Sequence, residues 1–115
     1  LNKVQVFQAI RQDWKESEKA VILADYQISN QVPAWLPAIV FIGHGPESVN
    51  LNEIQPKVEE ILKTSALTAA QKKFLKTAGT DYVIFSGETP NWINIYGYLI
   101  LEEEGISVFR LNLPE

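Results

Sequence analysis

The only histidine of the chain lies in a glycine-rich segment that follows a short apolar run. The segment reads "FIGHGPES" from Phe41 to Ser48, and a stretch with helical periodicity begins a few residues later. A glycine-rich turn between a strand and a helix can present backbone amides to a phosphate group. In that arrangement His44 is a candidate general acid or base, and Gly45 and Ser48 are candidate ligand-binding residues.

The same glycines also fit a plain turn with a solvated histidine, and the wider sequence favours that interpretation. The segment lacks the lysine and the spacing of a P-loop, and no Gly-x-Ser-x-Gly elbow supplies a nucleophilic serine. One histidine and no cysteine exclude a zinc site built from those two residue types. We therefore predict no catalytic residue, no metal ligand and no cofactor.

A second loop, "SGETPNW" from Ser86 to Trp92, also follows an apolar run. If a helix begins at Pro90, Ser86 and Thr89 lie at its positive end and could bind a phosphate or carboxylate beside His44. If a strand follows, the loop is only a connection. The function predicted for both loops thus depends on the segment after Trp92.

The charged residues do not by themselves form a site. The paired Glu59 and Glu60 and the run Glu102–Glu104 are typical of solvated surface. Lys72, Lys73 and Lys76 make a small basic face, but the net charge of −4 argues against a nucleic-acid partner.

Hydrophobic periodicity predicts the elements that must position these residues. Apolar residues recur at helical spacing in residues 3–17, 51–62 and 68–79. In the third helix Thr68 and Gln71 predict a capping box, and Gly79 predicts a left-handed stop. Runs rich in β-branched and aromatic residues predict strands over residues 19–28, 38–42 and 82–86.

Residues 92–101 decide between two folds. As part of a helix over residues 90–104 they would complete a β-α-β unit, which is the Rossmann-like α/β alternative. As a strand they would form a hairpin with residues 106–113 through a three-residue loop, Glu103-Glu104-Gly105. We favour the hairpin because Gly97 disfavours a helix interior and three glutamates oppose the negative end of a helix.

We therefore predict a single α+β domain over residues 1–115, with the order α-β-β-α-α-β-β-β and helices packed on one side of a mostly antiparallel sheet. A length of 115 residues and a hydrophobic fraction of 46% allow a core without disulfides. No apolar run reaches the roughly 18 residues of a membrane span, so a cytoplasmic protein is predicted. The absence of Met fits processing, an unusual start or excision from a longer chain.

The aromatic residues suggest the function. In the hairpin Trp92, Tyr96 and Tyr98 share one strand face, which stays exposed if helices cover only the other. This predicts a noncatalytic protein-interaction or self-association domain, whose partner is another protein or a second copy. The alternative is a small Rossmann-like module that binds a phosphorylated ligand or nucleotide, with enzymatic activity left open.

Overall fold

The computed structural model describes residues 3–15, 20–24, 39–41 and 51–114. These residues contain helices and strands close to the predicted ones, and one additional short helix. In chain order they are α1 (Lys3–Asp13), β1 (Ala20–Leu23), β2 (Ile39–Phe41), α2 (Leu51–Lys63), α3 (Ala69–Ala78), β3 (Tyr82–Ser86), α4 (Asn91–Tyr96), β4 (Gly97–Glu103) and β5 (Ile106–Leu111). None of the described helices combines the length and the hydrophobicity needed to cross a bilayer.

The strands form one mixed sheet in the order β2-β1-β3-β5-β4. Strand β1 pairs in parallel with both β2 and β3, and β5 pairs antiparallel with both β3 and β4. The predicted α+β class is confirmed. The sheet is mixed, with two parallel pairings on one side and two longer antiparallel pairings on the other. Strand β3 runs parallel to β1 because the helices between β2 and β3 carry the chain back to the edge at which β1 begins.

The segment that decided between the two folds is a hairpin strand over most of its length. Strand β4 pairs with β5 from Gly97 to Glu103, so the Rossmann-like alternative with helical residues 90–104 is wrong. Glu103 pairs with Ile106, which leaves a two-residue turn instead of the predicted three-residue loop. Glu104 and Gly105 both have positive φ, 50° and 82°, as a type I′ hairpin turn requires.

Helices cover both faces of the sheet, and this differs from the predicted one-sided packing. Along β3, Tyr82 and Ile84 point to the face on which α1 packs. The alternate residues Val83 and Phe85 point to the face covered by α2, α3 and α4. All four side chains are buried and largely apolar, so a helix on one side alone would leave half of them in water.

Local signals fix the elements in place. The capping box of Thr68 and Gln71 forms, and Gly79 ends α3 with a φ of 70°, so both predictions for this helix are confirmed.

Asp81 joins three strands at the start of β3. Its carboxylate accepts the amide of Val21 at 2.9 Å, and its carbonyl accepts the amide of Leu111 at 2.9 Å.

Candidate interaction surface

Strand β4 forms one edge of the sheet, and β5 is its only neighbour among the described strands. An edge strand presents unpaired N–H and C=O groups along its free side. Tyr98 lies opposite Arg110 and Leu99 lies opposite Phe109. These two side chains therefore flank the edge on the α1 face and on the α2–α4 face, respectively.

Three large apolar side chains are exposed in and beside β4. Ile95 on α4 is 73% exposed, Tyr98 is 54% exposed and Leu99 is 48% exposed. They fall within five consecutive residues of the chain. We call Ile95, Tyr98 and Leu99, together with the free side of β4, the β4 edge surface.

A polar and aromatic cluster supports this surface from the α1 face. The guanidinium of Arg110 donates to the Asp13 carboxylate at 3.1 Å, and the Tyr82 hydroxyl donates to the same carboxylate oxygen at 2.5 Å. The guanidinium also lies 5.8 Å from the ring centres of both Trp14 and Tyr82. We call Asp13, Trp14, Tyr82 and Arg110 the Arg110 cluster; it joins the end of α1 to β3 and β5, beside Tyr98.

The cluster changes the acidity of two of its members. Burial, followed by the hydrogen bond to the Asp13 carboxylate and the charge of that carboxylate, raises the pKa of Tyr82 well above its usual value. Burial alone would lower the pKa of Arg110, but Tyr82, Tyr98 and Asp13 act in the opposite direction and raise it. At neutral pH the cluster is therefore a neutral phenol and a guanidinium sharing one carboxylate.

The two ends of β4 differ in charge. At its beginning the Lys72 ammonium lies 5.2 Å from the centre of the Tyr96 ring, on the α2–α4 face. At its other end lie three successive glutamates, of which Glu102 accepts a long hydrogen bond of 3.4 Å from the Ser107 hydroxyl. The edge therefore runs from a cationic end to an anionic end.

Of the three aromatic residues predicted to form a surface, only Tyr98 is exposed. Trp92 is 1% exposed, and its indole N–H donates to the Ile61 carbonyl at 2.9 Å. It packs edge-on against Phe85 in the core, so its placement on a surface is wrong for this chain. Tyr96 is half-buried and lies at the end of α4. The three residues do not share a strand face because the helix α4 ends between Tyr96 and Tyr98.

The sequence contained a signal for this break. Trp92, Ile93 and Tyr96 recur at helical spacing after Pro90, and Gly97 follows as a stop. A strand-like alternating pattern begins directly after Gly97. Interpreting the whole segment as a single strand therefore hid the change from a helical period to a strand period. Ile95 and Leu99 were therefore not predicted as surface residues.

Two of the five predicted ligand-binding residues, Ser86 and Thr89, lie within the described residues. His44, Gly45 and Ser48 lie outside the described residues. Ser86 ends β3 and is exposed, while Thr89 precedes a helix of six residues whose N-cap is Pro90. Pro90 makes no side-chain capping bond, and α4 is too short to provide the helix terminus on which the phosphate hypothesis relied.

Other candidate sites are weaker. No cluster of three or more His, Cys, Asp or Glu side chains able to hold a metal occurs in the part of the chain that the structure describes. A groove of about 260 Å³ lies between α2 and α3, with Ile61 and Phe74 in its wall and Lys57 and Glu60 at its rim. It is smaller than the usual small-molecule pocket of about 300–1,000 Å³.

Comparisons with protein-family models, with curated proteins and with solved structures give no match to this chain.

Proposed function

We propose that this chain is a noncatalytic protein-interaction domain that docks a protein partner along the β4 edge surface. The main support is the exposure of Ile95, Tyr98 and Leu99 at the unpaired side of an edge strand. Small domains usually shield such an edge because it pairs readily with other chains. Here, apolar side chains flank it instead on both faces.

The chemistry of an edge strand defines how a partner binds. An extended segment of the partner adds to β4 through main-chain hydrogen bonds, and these supply affinity without sequence selectivity. Tyr98 and Leu99 project to opposite faces and would contact alternate side chains of the added strand. They thus supply the apolar contacts and the selectivity.

The Arg110 cluster makes this surface rigid before a partner arrives. Tyr98 lies across from Arg110. The guanidinium of Arg110 is held by Asp13 and lies 5.8 Å from the ring centres of Trp14 and Tyr82. Tyr, Trp and Arg are the residues that most often dominate binding energy at protein interfaces. A surface that is already ordered loses little conformational entropy on binding.

The proposal is tested by site-specific crosslinking in the cells that produce the protein. Benzoylphenylalanine in place of Tyr98 should give a discrete product heavier than the 13.0 kDa chain after irradiation. The same probe in place of Lys63, whose side chain is 78% exposed on α2, is the control and should give none. Absence of any product from position 98, or equal products from both positions, would contradict the proposal.

A second candidate is a small-molecule site at the carboxyl end of the parallel strands. Because β2, β1 and β3 run in parallel, the chain leaves β2 and β3 at the same edge of the sheet, where parallel sheets commonly bind ligands. Phosphate or ATP should then shift the backbone amide resonances of Ser86 and Gly87. Unchanged resonances at millimolar ligand would exclude this site.

A further inference from the structure

We propose that the partner on β4 is a second copy of the chain, whose β4 pairs antiparallel with the first about a two-fold axis at Leu99. This inference rests on the proposed function, since it assumes that the β4 edge surface is the docking site. A two-fold arrangement lets one surface complement itself, and two-fold dimers are the commonest protein oligomers. The arrangement follows from the charges, faces and register of β4.

Charge selects the antiparallel orientation. In a parallel pair the glutamates at the end of β4 in one copy would lie beside those of the other and repel them. In an antiparallel pair the acidic end of each β4 lies beside the beginning of the other. There Lys72 stands over the ring of Tyr96, and no carboxylate of the described residues forms an ion pair with it.

The register places the opposite charges at matching positions. Strand β4 has an irregularity between Leu99 and Leu101, so Ile100 and Leu101 share one position in the pairing. With Leu99 opposite its own copy, Tyr98 faces this apolar pair on one face of the sheet. One position further out, Glu102 lies opposite Gly97, the neighbour of Tyr96.

The faces of the sheet also agree. Leu99 and Glu102 lie opposite Phe109 and Ser107 of β5, which project to the α2–α4 face. Lys72 belongs to α3 and contacts Tyr96 on that same face. A two-fold axis perpendicular to the sheet keeps the like faces of both copies on one side, so the carboxylate of one Glu102 approaches the ammonium of the other Lys72.

Gly97 makes room for this contact. A side chain at the position opposite Glu102 would stand between the carboxylate and Lys72, and Gly97 has none. The same acidic end repels an unrelated strand that carries negative charge at its beginning. The edge therefore selects a partner that carries a cation beside the beginning of its strand, and a second copy supplies Lys72 at that position.

Charge reversal tests the orientation. Sedimentation equilibrium should show a wild-type dimer, and Glu102→Lys and Lys72→Glu should each weaken it by about tenfold, because each places like charges together in two symmetric contacts. The double variant Glu102→Lys/Lys72→Glu should return the dissociation constant to within about threefold of wild type. Single variants with an unchanged dissociation constant would overturn the antiparallel register. So would a double variant whose dimer is weakened by both single effects added together. Circular dichroism verifies that each variant is folded.

Engineered thiols test the axis. The chain has no cysteine, so Leu99→Cys introduces a single thiol. Residues directly opposite in an antiparallel pair have Cα atoms about 4.5–5.5 Å apart, which a disulfide can bridge. Mild oxidation should convert Leu99→Cys to a covalent dimer and leave the matched control Ile95→Cys monomeric, although Ile95 is the more exposed residue. The reverse result, or equal rates, would overturn a two-fold axis at Leu99.

The outcomes separate this inference from the function on which it rests. If the wild-type chain sediments as a monomer, and residue 98 crosslinks in cells to a different protein, the second copy is the wrong partner and the interaction role stands. If residue 98 crosslinks to nothing, both fail. A dimer that forms disulfides through Leu99→Cys and responds to the charge swap supports both.

Discussion

At the scale of single residues, Tyr82 shows how the sheet and α1 depend on one hydrogen bond. Its ring is fully buried and its hydroxyl donates to Asp13, the last residue of α1. Ionisation would place a phenolate beside that carboxylate in a buried site. The folded chain therefore binds the phenolic proton more tightly than the unfolded chain does.

The sign of the resulting pH dependence is fixed. Because folding raises the pKa of Tyr82 above its ordinary value of 10.0, the stabilisation is complete below pH 10 and is lost as the pH rises above it. We expect the free energy of unfolding to fall by about 1.4 kcal/mol per pH unit there. Urea denaturation of wild type and Tyr82→Phe at roughly pH 9, 10 and 11 measures this. A wild-type slope equal to that of Tyr82→Phe would contradict it.

Trp92 illustrates a limit of the sequence at this scale. A tryptophan fits a surface or a core equally well. The contact of Trp92 with the end of α2 decides that it belongs to the core. There the Ile61 carbonyl lacks a partner within the helix, and the indole of Trp92 supplies one. The contact joins residues 31 positions apart, so no local pattern could predict it.

Trp92→Phe should destabilise the fold by about 2–4 kcal/mol. The substitution removes the hydrogen bond to Ile61 and leaves unfilled volume beside Phe85. Asn94→Ala, on the exposed side of the same helix, is the matched control and should change stability by less than about 0.5 kcal/mol. Urea denaturation monitored by circular dichroism compares them. Equal midpoints for the two variants would contradict the structural role of Trp92.

At the scale of elements, sequence signals worked where they are local. The Thr68–Gln71 capping box and the hairpin after β4 depend on residues within a few positions of each other, and both formed, the hairpin with a turn one residue shorter than predicted. The helix α4 was missed because its period of 3.6 changes to a period of 2 within one short segment. The packing of helices on both faces was missed because it depends on long-range contacts of β3.

Gly97 is the residue at which the period changes. A Cβ atom there would lie 2.9 Å from the Arg110 carbonyl and 2.9 Å from Cδ1 of Ile93. The methyl group of Ile93 can move, but the backbone of β5 cannot. We expect Gly97→Ala to destabilise the chain by about 1–3 kcal/mol through overpacking, measured as a lower urea midpoint. An unchanged urea midpoint would contradict the close packing of Gly97 against Arg110 and Ile93.

At the scale of the whole molecule, the sheet combines a covered centre with an uncovered side. Strand β3 is buried on both faces, whereas β4 carries two of the most exposed apolar side chains, Tyr98 and Leu99. The aromatic residues of the hairpin predicted an interaction domain, and the exposed apolar side chains Ile95, Tyr98 and Leu99 lie on and beside β4. The sequence does not show which side chains form this surface, because their exposure depends on which strand ends the sheet.

Amide hydrogen exchange tests most directly whether β4 is the edge through which two copies of the chain pair. The protein as isolated is followed during stepwise dilution, and exchange is measured separately for residues 97–103 and for residues 82–86. Dissociation should free the outer side of β4, so exchange in residues 97–103 should accelerate on dilution while exchange in the central strand β3 stays slow. Exchange in residues 97–103 that is independent of dilution, or acceleration confined to other elements, would contradict the pairing of two copies through β4.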